Sequence, residues 1–334
     1  MDTSERSENR LRKNAEGPEG ESPGRPDLGG GFGTPPRATA GRSAARSGKP
    51  PLMSLSLGRF TVHEVRDGTY ALDGGAVFGV VPKVLWSRHY APDAQNRIRL
   101  VLRCMLIDDG TRRILVDVGM GSKPDDKQRT IYAVDQSRCD LDRELVRAGF
   151  RREDITDVVL THLHLDHAGG TTRLEGGKLA LSFPRATYHV QRRNWKWAHQ
   201  PSDKDAGSFR AENFAPLEKS GRLHLMEGQT ELYPGVEVFV SEGHTVGLQL
   251  VRLSDGESSL VFCGDLVPTS AHLKPAWVMA YDLYPLTTIE EKKFLLAEAV
   301  ESRTILFLEH DPDIAACTVR EQEGQVVVDE VIRL

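Results

Sequence analysis

Cysteine is scarce and shows no pairing pattern: Cys104, Cys139, Cys263 and Cys317 are scattered through 334 residues with no Cys-x-x-Cys pair. That spacing excludes a disulfide framework or a zinc ribbon and implies a reducing, cytoplasmic setting. Long apolar runs are missing too, none approaching the roughly 18 residues of a membrane span. Near the N-terminus Leu11 stands isolated among charges, where a secretory signal would carry its apolar core. No membrane association is expected. Excess positive charge is the third absence. Residues 1–53 carry nine Lys/Arg against seven Asp/Glu, so the remainder stands at −7 within a net charge of −5. This balance gives no general attraction to nucleic acid or anionic lipid. It favours a small-molecule substrate over a polyanion, acted on by a monomer or homodimer.

What is present divides unevenly. Residues 1–52 are dominated by Gly, Pro, Ser, Arg and Glu, and besides Met1 their only large apolar residues are Leu11, Leu28, Phe32 and Leu52. Such a stretch buries too little surface to offset its ordering entropy, so a disordered tail is expected over 1–52. Met53 opens the first patterned stretch and is a candidate translation start. One folded domain is expected over 53–334, in a chain whose 39% hydrophobic content suffices for a large core.

From Gly58 onward, short strands recur. Arg59–Val65 alternates, a turn is expected at Asp67-Gly68, and Tyr70-Ala71-Leu72 resumes. Phe78 to Pro82 and Trp86 read as an apolar, glycine-broken loop. Arg97–Ile107 and Arg113–Asp117 are strands, Leu141–Phe150 is a helix, and Val158-Val159-Leu160 is a short buried strand. That last strand delivers Thr161-His162-Leu163-His164-Leu165-Asp166-His167-Ala168-Gly169-Gly170. Four possible ligands in six positions, in a chain with 11 histidines, are hard to explain as packing. Neutral imidazoles and a carboxylate are ligands for zinc and similar divalent ions. In an extended segment His162 and His164 share one face, and Asp166 and His167 can point towards a second ion. His63, His189, His199 and His224 each stand alone and read as structural or surface residues.

The block His162-x-His164-x-Asp166-His167 resembles the signature of the metallo-β-lactamase superfamily. That resemblance implies three further ligands, and the sequence has candidates for each. His244 follows the strand Val236–Val240 within Gly243-His244-Thr245-Val246-Gly247, Asp265 ends Leu260-Val261-Phe262-Cys263-Gly264-Asp265, and His310 ends Thr304 to Glu309. The implied assignment is His162, His164 and His244 on one ion, Asp166, His167 and His310 on the other, and Asp265 between them. The cofactor is then two divalent metal ions, zinc foremost, with manganese, iron and cobalt also suited. Asp117 resembles the family's acid in a Val-Asp-x-Gly-x-Gly turn, which orients a ligand histidine; a turn-capping Asp is the simpler reading.

The implied fold is α/β (α+β): an αββα sandwich, two mixed β-sheets face to face with helices outside, its strand-rich halves meeting near Gln191. A pair of ions can lower the pKa of a shared water and polarise the attacked bond, so no Ser or Cys nucleophile is needed and Cys263 reads as core. The segment Ala276 to Pro285 can line an apolar pocket through Trp277, together with Phe78, Trp86 and Met120. By resemblance to lactonases, Tyr281 or Tyr284 is placed to donate to the reacting oxygen beside the catalytic Asp166, with His272 a weaker candidate. A helix is expected from Thr287/Thr288, with Glu290 and Glu291 in a capping box.

The resulting expectation is metal-dependent hydrolysis of a small, largely apolar ester, lactone or related bond. Two rivals are a mononuclear iron oxygenase of the persulfide dioxygenase type and a non-enzymatic, metal-stabilised binding module.

Overall fold

A computed structural model describes residues 53–334, and the tail expected over 1–52 lies outside the described residues. Two seven-stranded sheets form the framework of the described residues. The first contains β1 (Leu55–Leu57), β2 (Phe60–Asp73), β3 (Arg97–Asp108), β4 (Arg113–Val116) and β5 (Asp157–Val159). After a small hairpin, β6 (Thr172–Glu175) and β7 (Lys178–Leu181), it is completed by β8 (Thr187–Gln191) and β9 (Leu223–Met226). It is antiparallel up to β4 and parallel from β4 through β5 and β8 to β9.

The second sheet runs β10 (Thr230–Tyr233), β11 (Val236–Ser241), β12 (Leu248–Ser254), β13 (Ser259–Phe262), β14 (Ile305–Phe307), β15 (Ala316–Gln322) and β16 (Gln325–Ile332). Its only parallel pair joins β13 to β14, across the long helix Pro285–Ser302. The sandwich thus divides between Met226 and Thr230, later in the chain than Gln191.

Three apolar layers hold the stack. Between the sheets, Phe60, Val62, Met105, Ile107 and Val159 pack against Val238, Val251, Leu260, Phe262 and Phe307. Outside the first sheet, Leu141, Leu145, Trp195 and Phe214 cover Leu115, Val158 and Tyr188. Outside the second, Leu295, Leu296 and Ala299 cover Leu250, Val261 and Leu306. β3 is buried on both faces, which is why its sequence runs nearly continuously apolar from Leu100 to Ile107.

Three local expectations need correction. Asp67-Gly68 does not turn the chain: β2 pairs with β3 on both sides of it, and the register slips there as a bulge between Arg66 and Thr69. Gly68 takes φ +105, a bulge-compatible angle, and the Asp67 carboxylate reaches back to the Gly121 amide at 2.7 Å. The loop expected around Phe78–Trp86 holds two short helices, Gly74–Phe78 and Lys83–Trp86. The long helix starts at Pro285, not Thr287/Thr288, because proline preorganises the first helical position. Glu291 then makes no capping box. It accepts from Ser241 Oγ at 2.6 Å and the Glu242 amide at 2.8 Å, tying down the loop that follows β11.

Close backbone approach explains the glycines behind the histidine block. A Cβ on Gly170 would lie 2.1 Å from the Val118 carbonyl oxygen, and one on Gly169 would lie 2.2 Å from that of Met120. The turn after β4 and the turn after β5 are therefore pressed backbone to backbone. Gly170→Ala is expected to destabilise the protein by about 2 kcal/mol or more, as overpacked sites do. Chemical unfolding of the two proteins checks this.

Candidate metal centre

The ends of β4, β5, β11, β13 and β14 open on the same edge of the sandwich, and each carries a polar residue just past its last apolar position. Asp117 follows β4, His162 to His167 follow β5, His244 follows β11, Asp265 follows β13 and His310 follows β14. Their side chains meet. His164 Nδ1 lies 2.9 Å from His162 Nε2 and 3.2 Å from His244 Nε2. Asp265 Oδ2 is 3.1 Å from His244 Nε2, and its Oδ1 is 3.1 Å from His310 Nε2. His310 Nε2 is 3.3 Å from His167 Nε2, and Asp166 Oδ1 lies 3.8 Å from the same His167 nitrogen.

Two inner ligand groups result, His162, His164, His244 and Asp265, and Asp166, His167 and His310, with Asp117 and Glu309 gathered around His167 behind them. Within each group the donor atoms lie within 4.8 Å of one another, a reach a single cation can span. Asp265 turns one oxygen towards each group.

The imidazoles are aimed from behind. His244 Nδ1 meets Asp282 Oδ1 at 2.8 Å, His167 Nδ1 meets Asp117 Oδ2 at 3.0 Å, and His310 Nδ1 meets the Val101 carbonyl at 2.9 Å. His162 Nδ1 meets Thr161 Oγ1 at 3.0 Å, and that hydroxyl donates to Asp117 Oδ2 at 2.6 Å. Each partner accepts an N–H, which leaves the Nε2 lone pair pointing inward, as metal-binding histidines require. Tyr70 O–H holds Asp166 Oδ2 at 2.9 Å, leaving Oδ1 for the interior.

Buried polar atoms should be hydrogen-bonded, yet Asp265 Oδ1, although 3.1 Å from His310 Nε2, makes no hydrogen bond of regular geometry. A carboxylate oxygen left so, among converging nitrogens, fits a pair of divalent cations. Burial first, and then the neighbouring histidines, push the pKa of His162 and His164 well below the usual value, leaving them neutral. Burial works against protonation of His244 as well, but Asp265 and Asp282 outweigh it and raise its pKa to about 9, so its Nε2 faces a negative environment that either a proton or a metal cation can neutralise. Asp265 is held well below the carboxylate range, because His167, His244 and His310 outweigh its burial.

Beside the ligands lies a cavity of about 80 Å³, its wall formed by Tyr70, Leu72, Val77, Met120, Leu165, Met279 and Tyr281. Of the four residues expected to line it, only Met120 does. Phe78 follows Val77 on a short helix and so is turned about 100° away from it, stacked on Trp86 at 5.6 Å and on His272 at 4.9 Å between ring centres. Trp86 is buried in the same aromatic stack, and Trp277 stands edge-on to Phe78 while lining a separate surface cavity. These three support the pocket from behind. Tyr281 faces the cavity; Tyr284 does not, being half exposed at the start of the long helix. Burial and then Asp166 raise the Tyr281 hydroxyl's pKa, so it stays protonated and able to donate. His272 is a satisfied structural residue, its nitrogens on Thr269 Oγ1 and the Val77 carbonyl.

Sequence reasoning missed Tyr70, Asp282 and Glu309. Glu309 is fully buried, with Oε1 3.1 Å from His167 Nδ1; burial and then Asp117, against the pull of His167, hold its carboxyl at about 8. A lone carboxylate within an apolar run was the available signal for both Asp282 and Glu309. Tyr70 carried none.

A sequence model of the metallo-beta-lactamase superfamily matches residues 101–307. An N-acyl homoserine lactonase of Bacillus cereus is 26% identical over 176 residues, which cover 50% of this chain and 63% of the lactonase. The matched region thus spans about three-fifths of the curated lactonases' length. A probable metal-dependent hydrolase from Staphylococcus aureus superposes with TM-score 0.76 at 29% identity, covering 83% of this chain and all of the other. The dizinc quorum-quenching lactonase AidC shares the fold at TM-score 0.71 and 19% identity, over 85% of this chain and 98% of its own.

Replacing Asp117 by Asn keeps the side chain's shape but removes the charge that the Thr161 hydroxyl and amide and the His167 imidazole address. Metal affinity is expected to fall about 10- to 100-fold, the usual effect of losing an orienting partner. Zinc competition titration of Asp117→Asn against the parent checks it.

Proposed function

Because the chain belongs to the metallo-beta-lactamase superfamily, we propose that it is a binuclear metallohydrolase that cleaves a small, largely apolar ester, lactone or related bond. The observation that carries the reading is the convergence of seven ligand-type side chains, most with an oriented imidazole or carboxylate, beside an apolar cavity. Two divalent cations, when bound, supply Lewis acidity and a hydrolytic nucleophile near neutral pH. His162, His164 and His244 would hold one and Asp166, His167 and His310 the other, with Asp265 shared.

The chain's own residues do the rest. Leu72, Val77, Met120, Leu165 and Met279 exclude water from the apolar part of a substrate and limit its size. Tyr281, protonated and facing the cavity, is the hydrogen-bond donor for an oxygen of the substrate that gains negative charge. Tyr70 fixes Asp166 and does not itself donate to substrate, since its proton is already engaged. One chain supplies every ligand, so the site needs no second subunit. Cys104, Cys263 and Cys317 are buried free thiols, which suits a reducing, cytoplasmic compartment.

Turnover should be measured on lactones, aryl esters, thioesters, phosphotriesters and β-lactams, with protein stripped by chelator and reloaded with zinc, manganese, cobalt or iron. His162→Ala and Asp166→Ala are each expected to lower turnover of any accepted substrate by roughly a thousandfold or more, as is removal of the metal. Tyr281→Phe is expected to lower kcat by about 100-fold, the effect of losing one oxyanion donor. Full activity in stripped protein would overturn the metallohydrolase reading. Elemental analysis giving one iron per chain would replace it with the oxygenase.

A further inference from the structure

Lys204 lies outside the ligand set, on the loop after the helix Arg192–His199, yet its ammonium is fully committed to the turn that aims His244. Nζ donates to three successive carbonyls, Ala280 at 2.8 Å, Tyr281 at 2.8 Å and Asp282 at 2.9 Å. An ammonium has three N–H donors and no acceptor, so each donor is used once. Three carbonyl oxygens aimed at one point repel one another unless a cation sits there. The turn's shape, with Tyr281 towards the cavity and Asp282 towards His244, is one that this cation stabilises.

The loop that presents Lys204 is itself braced. Asp205 is buried and accepts from Ser202 Oγ at 2.8 Å and from Trp197 Nε1 at 2.7 Å, one acceptor oxygen each. Five residues past Lys204, Phe209 packs edge-on against the His164 ring, 4.7 Å between centres, and pairs with His164 through the backbone. On the other side of the ammonium, Asp282 Oδ1 receives His244 Nδ1–H while its Oδ2 receives the Met279 amide at 3.2 Å. The Leu283 amide donates to the His244 carbonyl at 3.0 Å and the Tyr284 amide to that of Gly243 at 2.8 Å. The 280–284 turn and the histidine it orients thus form one hydrogen-bonded unit.

We infer that Lys204 is a positioning residue for the metal centre. By gathering the Ala280, Tyr281 and Asp282 carbonyls it fixes the Asp282 carboxylate behind His244 and so sets the direction of that imidazole's lone pair. The inference rests on the metal-centre reading. It goes beyond it in assigning a role to a lysine that touches neither ion nor substrate.

The test uses full-length protein reloaded with zinc or cobalt, and reads metal affinity by chelator competition and the visible spectrum of the cobalt form. Lys204→Met, which keeps the length and removes the donors, is expected to weaken binding of one ion about tenfold, the low end for loss of an orienting partner. The cobalt spectrum should shift with it. Lys204→Arg, which restores charge and donors, should recover most of both. Asp282→Asn should weaken binding more, and Lys204→Met added to it should weaken binding little further, since the two act in series. Where Lys204→Met fails to fold, Lys204→Gln serves in its place. Unchanged affinity and spectrum in Lys204→Met, or a double variant with fully additive losses, would overturn the inference while leaving the metal centre standing. Parent protein that takes up no metal would overturn both.

Discussion

The Asp117 carboxylate is the constraint from which the rest of the metal centre follows. It is fully buried at the end of β4, on a residue with φ +57, and a charge in such a place is costly unless its lone pairs are filled. They are. The Thr161 amide donates at 2.7 Å, the Thr161 hydroxyl at 2.6 Å and the His167 imidazole at 3.0 Å. One side chain therefore locks the end of β4 to the end of β5 and, through Thr161 and His167, orients two of the ligand histidines. The left-handed backbone is mild for an Asp, which visits that region more readily than most residues, and it turns the carboxylate inward where a continued strand would alternate it outward.

Rigidity is distributed in the same way around the other ligands. Arg103, buried in β3, spans Glu64 at 2.6 Å and the Leu308 carbonyl at 2.6 Å, pinning the chain just before His310. Glu291 holds the loop before His244, and the glycines at 169 and 170 allow the two ligand turns to touch. In each case a ligand sits at a strand end and a residue distant in sequence fixes the backbone beside it. Imidazoles held in this manner lose little freedom on meeting an ion, so more of the coordination energy is available as affinity and less is spent on ordering.

Much of this could be read from residue order. A short apolar run followed within a few residues by histidine or aspartate recurs at Val158–His162, Val236–His244, Leu260–Asp265 and Ile305–His310, and each run contains a strand. The parts that could not be read are contacts between residues far apart with no local signature. Tyr70 reaches Asp166 across 96 positions and Asp282 reaches His244 across 38. The aromatic segment misled for a related reason. Apolar residues near a site can line a pocket or back it, and the choice between Val77 and Phe78 depends on the rotation of a five-residue helix that periodicity does not resolve. At Asp67-Gly68 a strong turn signal was overridden because β3 offers pairing partners on both sides of it.

The division of the ligand-type residues between the two sheets bears on how the protein would come to hold the proposed ions. The first sheet gives His162, His164, Asp166 and His167, and the second gives His244, Asp265 and His310, so each coordination group draws on both halves. On a ribosome, the amino-terminal half emerges with an incomplete set for either cation. Full capture of the proposed ions would have to wait until the residue at 310 is free of the exit tunnel and the second sheet has closed over the first. Binding of the proposed ions would in that sense be a late event, because a chain stalled or mispaired midway has no complete cage to fill.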